Sequence, residues 1–172
     1  MNIGIKSIVV LTAICLCVSL LLAGVNSMTA PVIEAYEAKQ AALACSEVMP
    51  DGTDFETVEL PDGIPSTVSA IYKESGGGYV FKMVTTGFSS GYQIMCGISA
   101  SGKITGTTVL AHSETPGYGS KTAESSYTDL YIGVDSSLEG DFIISGATKS
   151  STAFKKAIAD AFTAFSMIKG EG

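Results

Sequence analysis

Small and hydroxyl-bearing side chains are concentrated in the tetrapeptide Ser145-Gly146-Ala147-Thr148. The apolar residues that follow it recur with a helical period, which predicts an amphipathic helix: Phe154, Ile158, Ala161, Phe162, Phe165 and Ile168. The tetrapeptide therefore lies at the N-terminal end of this helix, where backbone N–H groups lack helical partners and carry partial positive charge. Such a position favours a phosphate group. Ser145 and Thr148 could equally be ordinary helix caps.

A second segment, rich in turn residues, follows the β-prone run that ends at Ala111. It begins with His112 and continues as Glu114-Thr115-Pro116-Gly117-Tyr118-Gly119. Loops on a rigid scaffold often carry function, but the same residue types also form plain surface turns. Glu114 could pair with Lys121 or bind a ligand. His112 has no nucleophile motif beside it, so we expect a solvated side chain at a strand end, and a hydrolase is not indicated.

The tetrapeptide resembles the flavinylation motif of the FMN-binding domain family, which occurs in the G subunit of Rnf electron-transport complexes and in the C subunit of sodium-translocating NADH:quinone reductase. In that family the threonine carries FMN through a phosphoester bond, which a flavin transferase installs from FAD. The resemblance places this bond at Thr148. It implies that the neighbouring cofactor-binding residues are Ser145, Gly146, Ala147, Lys149 and Ser150. The family usually has an aspartate three positions before the serine, whereas Asp141 lies four positions before Ser145.

The turn-rich loop resembles the second signature of the same family, in which the loop packs against the flavin. This resemblance adds a further set of expected cofactor-binding residues: Glu114, Thr115, Pro116, Gly117, Tyr118 and Gly119. The family commonly has leucine at the position of Tyr118. A tyrosine ring there could stack on the isoalloxazine or lie against its edge.

Together the two signatures imply an electron-carrier subunit with covalently bound FMN in a membrane Rnf-type complex, an ion-translocating ferredoxin:NAD+ oxidoreductase. The expected partners are the other membrane subunits and, during maturation, a flavin transferase, and the chain is not expected to be catalytic alone. Two alternatives stay open. One is a stand-alone, membrane-anchored flavinylated electron-transfer protein. The other is a non-redox, membrane-anchored binding or structural module, in which the tetrapeptide is only a helix cap.

The composition excludes some classes of binding partner and ligand site. The chain of 172 residues has 17 acidic and 10 basic side chains, a formal net charge of −7 and no arginine. Nucleic-acid-binding proteins usually present a basic surface, so we expect no nucleic-acid partner. A phosphate site built from arginine is excluded as well. One histidine and four cysteines do not suggest a metal site, although Cys45 and Cys96 could form a disulfide in an oxidising compartment.

The N-terminal segment has the composition of a membrane span. No charged residue occurs from Ser7 to Ile33, and about 20 apolar residues suffice to cross a bilayer. We expect a membrane anchor over residues 1–33 and an FMN-binding domain over residues 34–172. Lys6 precedes the apolar run and acidic residues follow it, which predicts a single-pass protein of the cytoplasmic membrane with its domain on the extracytoplasmic side. A cleaved signal peptide is the alternative.

The middle of the chain predicts β-strands. Residues 68–73 and 79–85 are β-prone and flank a glycine-rich turn, and residues 92–99 and 103–111 flank a second turn. Residues 34–43 are strong helix formers and predict a helical continuation of the membrane segment. The chain is therefore expected to be α+β, with an N-terminal transmembrane helix followed by one domain whose mainly antiparallel sheet is packed by helices.

Overall fold

The computed structural model describes residues 3–170, and the chain divides into two compact units over residues 1–41 and 42–172. The first helix, α1 (Ile3–Val48), is a single element that continues through Pro31. The helical continuation predicted after the apolar run is therefore confirmed. Among residues 3–170, α1 is the one helix that is long and apolar enough to cross a membrane, by length and composition.

The second unit is built on a five-stranded antiparallel sheet whose strands lie side by side in chain order. The strands are β1 (Glu56–Val58), β2 (Val68–Lys73), β3 (Tyr79–Thr85), β4 (Tyr92–Ile98) and β5 (Ile104–Ala111). The two predicted hairpins are confirmed, and each of their strand ends lies within one residue of its predicted position. β1, at the edge of the sheet, was not predicted.

Helical elements complete the second unit. After the sheet come a 3₁₀-helix (Gly119–Ala123), the short α2 (Ser125–Thr128), another 3₁₀-helix (Asp129–Tyr131) and α3 (Thr148–Lys169). α3 is the amphipathic helix that the apolar period predicts, and it begins at the predicted end of the tetrapeptide. The unit is therefore α+β, as expected.

The two faces of the sheet pack against different elements. One face and α3 form the larger core, which includes Ile71, Phe81, Ile94, Cys96, Phe154 and Ile158. The other face packs against the end of α1 in a smaller cluster of Ala44, Cys45, Val48, Met49, Val80 and Met95. Cys45 and Cys96 thus lie on opposite faces of the sheet, and both are buried free thiols. The prediction that they could form a disulfide is wrong, because the sheet backbone separates the two side chains.

Candidate functional site

A cleft of about 320 Å³ lies in the second unit where three chain segments meet. These segments are the loop between β3 and β4, the loop that follows β5, and the start of α3. The lining residues are Phe88, Glu114, Thr115, Tyr118, Gly119, Gly146, Ala147, Thr148, Lys149 and Ser150. Nine of the twelve predicted cofactor-binding residues are among them. Ser145, Pro116 and Gly117 belong to the same two segments but do not line the cleft.

Thr148 lines this cleft at the start of α3, and its side chain does not cap the helix. Thr148 is the first residue of the helix and is exposed, and the N-cap residue is Ala147, which makes no side-chain capping bond. The turn is fixed instead by the Ser151 hydroxyl, which donates to the Ala147 carbonyl (2.9 Å) and accepts from the Ile144 N–H (3.3 Å). The interpretation of Ser145 and Thr148 as ordinary helix caps is therefore wrong.

The tetrapeptide and the turn-rich loop approach each other at Gly146 and Tyr118. Gly146 has a φ of +83°, a backbone conformation that favours glycine, and a Cβ atom at this position would lie 3.5 Å from the Tyr118 ring. The Tyr118 side chain remains 61% exposed. Gly117, with a φ of +75°, turns the loop, and its N–H donates to the Ser120 hydroxyl (2.9 Å). The loop therefore holds an open aromatic ring at the rim of the cleft.

Glu114 lies under this rim and is buried, with 4% of its surface exposed. Its carboxylate accepts hydrogen bonds from the Phe88 N–H (3.2 Å), the Ser89 N–H (3.1 Å) and the Ser150 hydroxyl. The alternative of an ion pair with Lys121 is not found within residues 3–170, where the one ion pair joins other residues. Glu114 thus connects all three segments of the cleft.

Phe88 is the cleft residue that sequence reasoning missed. Its side chain is 65% exposed, and the Lys149 ammonium lies 5.6 Å from the centre of its ring. This distance is within the range of a cation–π interaction. The sequence did contain a signal that could have revealed it: an aromatic residue in a Gly-Phe-Ser-Ser-Gly turn between two predicted strands.

Two other residues singled out in the sequence lie beside the cleft without lining it. His112 follows β5 and is exposed, as expected, and its Nδ1 accepts a hydrogen bond from the Glu114 N–H (3.3 Å). Asp141 is exposed, and its carboxylate accepts the Ile143 N–H (3.2 Å). Both side chains therefore organise local backbone.

Comparison with known proteins identifies the family of this chain. The model of the FMN-binding domain family matches residues 87–163, which contain β4, β5, the turn-rich loop and most of α3. The chain is 36% identical over 155 residues to the G subunit of the Na+-translocating ferredoxin:NAD+ oxidoreductase complex of Acetobacterium woodii, an alignment that covers 81% of this chain and 72% of that protein. The chain belongs to the family of Rnf G subunits.

A second relative supports the same family. The G subunit of the ion-translocating oxidoreductase complex of Methanosarcina acetivorans is 33% identical over 168 residues, which is 89% of either chain. The matched FMN-binding domain begins at Gly87 and therefore includes Phe88, the cleft residue that the sequence motifs did not reveal.

The residues of the cleft fit the two chemical parts of FMN. A phosphate is favoured by the free N–H groups of the first helical turn, by the Thr148 hydroxyl and by the Lys149 ammonium. A flat aromatic ring system is favoured by the exposed rings of Phe88 and Tyr118. The volume of about 320 Å³ lies at the lower end of the range for ligand pockets, so the cleft covers only part of a large ligand.

Proposed function

We propose that this chain is the electron-carrier subunit of a membrane ion-translocating ferredoxin:NAD+ oxidoreductase complex, with FMN bound covalently to Thr148. The observation that carries the proposal is the position of Thr148. This residue is exposed, is the first residue of α3 and lines a cleft where both family signatures meet. When bound, FMN supplies one-electron and two-electron chemistry, and the protein fixes its position and tunes its potential.

The attachment requires only one reactive group from this chain. The Thr148 oxygen forms a bond to the flavin-side phosphorus of FAD, the pyrophosphate bond breaks, AMP leaves and the hydroxyl proton is lost. A flavin transferase supplies the catalysis. Afterwards the N–H groups at the start of α3 and the Lys149 ammonium offset the phosphate charge. The tether also keeps the cofactor at a high local concentration beside an open cleft.

The proposed location follows from the N-terminal helix. In this proposal residues 1–33 are a retained membrane anchor and the FMN-binding domain is on the extracytoplasmic side of the cytoplasmic membrane, an orientation supported by the lysine before the apolar run. A covalent cofactor suits that side, because a dissociated flavin would be lost by dilution. The other membrane subunits of the complex are the proposed electron-transfer partners.

Labelling with flavin tests the central bond. The full chain is coexpressed with a flavin transferase, denatured and separated on a gel, and flavin fluorescence is recorded. We expect a fluorescent band for the parent chain and none for Thr148→Ala. Thr152→Ala is the matched control, because Thr152 is an exposed threonine one turn further along the same helix, and it should keep the label. A dark parent band, or a fluorescent Thr148→Ala band, would refute the proposal.

Purification from native membranes tests the assignment to a complex. We expect the flavinylated chain to copurify with other membrane subunits in mild detergent. A flavinylated chain that purifies alone would instead be a stand-alone electron carrier. A chain without flavin in cells that contain the transferase would be the non-redox module. That last alternative depends on a capping role for the tetrapeptide, and neither Ser145 nor Thr148 makes a side-chain capping bond at the start of α3.

A further inference from the structure

The carboxylate of Glu114 lies in a socket that two glycines keep open. A Cβ atom on Gly87 would lie 2.5 Å from Oε1, and a Cβ atom on Gly119 would lie 2.7 Å from Oε2. Neither glycine has a positive φ, so backbone conformation does not account for the residue type at either position. The space they leave is occupied by the Glu114 carboxylate.

The hydrogen bonds in this socket require a group that only accepts. All three partners of Glu114 are donors: the N–H groups of Phe88 and Ser89 and the hydroxyl of Ser150. Two carboxylate oxygens can accept all three, whereas a glutamine amide has one acceptor atom and an NH2 group that faces a donor. Leaving a buried donor unsatisfied costs about 1–3 kcal/mol. The socket therefore fits a carboxylate better than an amide of the same size.

We propose that Glu114 is a positioning residue for the cofactor cleft rather than a direct ligand of the flavin. It holds the β3–β4 loop, so that Phe88 stands at the mouth of the cleft, and it holds Ser150 in the first turn of α3, two residues after Thr148. The consequence for the cofactor rests on the function proposed above. The positioning of Phe88 is independent of that function, because it follows from contacts within the protein.

Glu74 provides a matched control elsewhere in the same unit. It is also a buried carboxylate, with 8% of its surface exposed, and it also accepts from backbone N–H groups and a serine, namely those of Thr53 (3.4 Å), Gly78 (3.5 Å) and Ser75. It lies at the β2–β3 turn and is not among the residues that line the cofactor cleft. Replacement of either glutamate by glutamine removes the same chemistry from the same kind of environment.

The first test uses the flavin-free full chain in detergent micelles. The chain contains no tryptophan, so Phe88→Trp introduces a single fluorescent reporter at the mouth of the cleft. We expect Glu114→Gln in this background to lower the tryptophan anisotropy and shift its emission, because the loop loses its anchor. Glu74→Gln should leave both signals at the parent values. Equal signals for Glu114→Gln and its parent, or equal changes in both variants, would overturn the proposal.

Gly87→Ala is the second variant, in case Glu114→Gln does not fold. It displaces the carboxylate by steric contact and keeps its charge, so we expect the same loss of anisotropy in the reporter background. An unchanged reporter would count against the proposal.

The second test uses the flavinylated protein. We expect Glu114→Gln to keep its fluorescent band on a denaturing gel while the visible circular dichroism of the flavin weakens and its midpoint potential shifts. Glu74→Gln should change neither property. Flavin signals of Glu114→Gln that match the parent would refute positioning of the cofactor. Absence of flavin from the parent would instead refute the proposed function, and the reporter experiment would still decide the role of Glu114.

Discussion

Two glycines beside the cleft are required for different physical reasons. Gly146 has a φ of +83°, but a Cβ atom there would make only an ordinary contact, at 3.5 Å, with the Tyr118 ring. Gly119 has no positive φ, yet its Cβ atom would lie 2.6 Å from the Ser150 hydroxyl and 2.7 Å from the Glu114 carboxylate. Gly146 is required for its left-handed backbone conformation, whereas Gly119 is required because it leaves room for the hydrogen-bonded side chains of Glu114 and Ser150.

Alanine substitutions should separate these two causes. Gly146→Ala should lower the free energy of unfolding by about 1 kcal/mol, because the left-handed conformation is strained for alanine. Gly119→Ala should lower it by about 1–3 kcal/mol, because the buried pair must move. Urea unfolding of the full chain in micelles, followed by near-ultraviolet circular dichroism, measures both values. Ser136→Ala, at an exposed site, is the neutral control. A neutral Gly119→Ala would contradict the steric argument.

At the scale of elements, the sheet separates Cys45 from Cys96, which the sequence alone would have allowed to form a disulfide. Side chains alternate between its faces along each strand, so Met95 packs toward the end of α1 while Cys96 packs toward α3. Cys45 belongs to the α1 side. Burial also raises the pKa of the Cys96 thiol, which disfavours the reactive thiolate.

We therefore expect Cys45 and Cys96 to remain reduced and protected. In a background with Cys15→Ser and Cys17→Ser, denatured protein should take up two alkyl groups whether or not a reductant is added first. The native protein should take up far fewer in the same time, because both thiols are buried. Intact-mass measurement counts the groups. Alkylation that requires prior reduction would show that the two cysteines are bonded after all.

The elements of this fold differ in how much local signal specifies them. The strands β2 to β5 were predicted closely, because each is a β-prone run bounded by a glycine turn. β1 has only three residues, and the three helices within residues 119–131 have three to five residues, too few for any period to be visible. Their formation depends on packing against the completed sheet, which the sequence does not display locally.

The residues of the cleft also differ in how far the local sequence specifies their positions. Thr148 was predicted, because the helical period and the tetrapeptide mark the start of α3. Phe88 was not predicted, because its position depends on hydrogen bonds to Glu114, 26 residues further along the chain. The capping interpretation was wrong for a different reason, because neither Ser145 nor Thr148 makes a side-chain capping bond at the start of α3. A partner distant in sequence therefore decided the position of Phe88, the cleft residue that sequence reasoning missed.

At the scale of the whole second unit, one aromatic cluster joins the sheet, the short helices and α3. The Phe154 ring lies 5.0 Å from that of Tyr131, 5.2 Å from that of Tyr127 and 6.3 Å from that of Tyr92. The hydroxyls remain hydrogen-bonded, since Tyr92 donates to the Thr122 hydroxyl (2.6 Å) and Tyr127 to a backbone carbonyl (2.8 Å). Burial raises the pKa of all three phenols, that of Tyr127 to about 12.

The raised pKa values predict that the domain unfolds in alkali. Above pH 10, the ordinary pKa of tyrosine, these phenols ionise in the unfolded chain but stay protonated in the native domain, so the unfolded state binds fewer protons. The stabilising contribution of Tyr127 is complete below pH 10 and is lost as the pH rises toward about 12. Each such phenol lowers the free energy of unfolding by about 1.4 kcal/mol per pH unit within its window.

A pH titration of the full chain in micelles, followed by phenolate absorbance and far-ultraviolet circular dichroism, measures this effect. We expect Tyr92, Tyr127 and Tyr131 to ionise only together with the loss of secondary structure. Tyr127→Phe should remove one phenol from this late step. If all the tyrosines ionised while the circular dichroism stayed native, the three buried phenols would not be linked to folding. The expected outcome would show that the core beneath the cleft, including Phe154 six residues after Thr148, unfolds as one cooperative body.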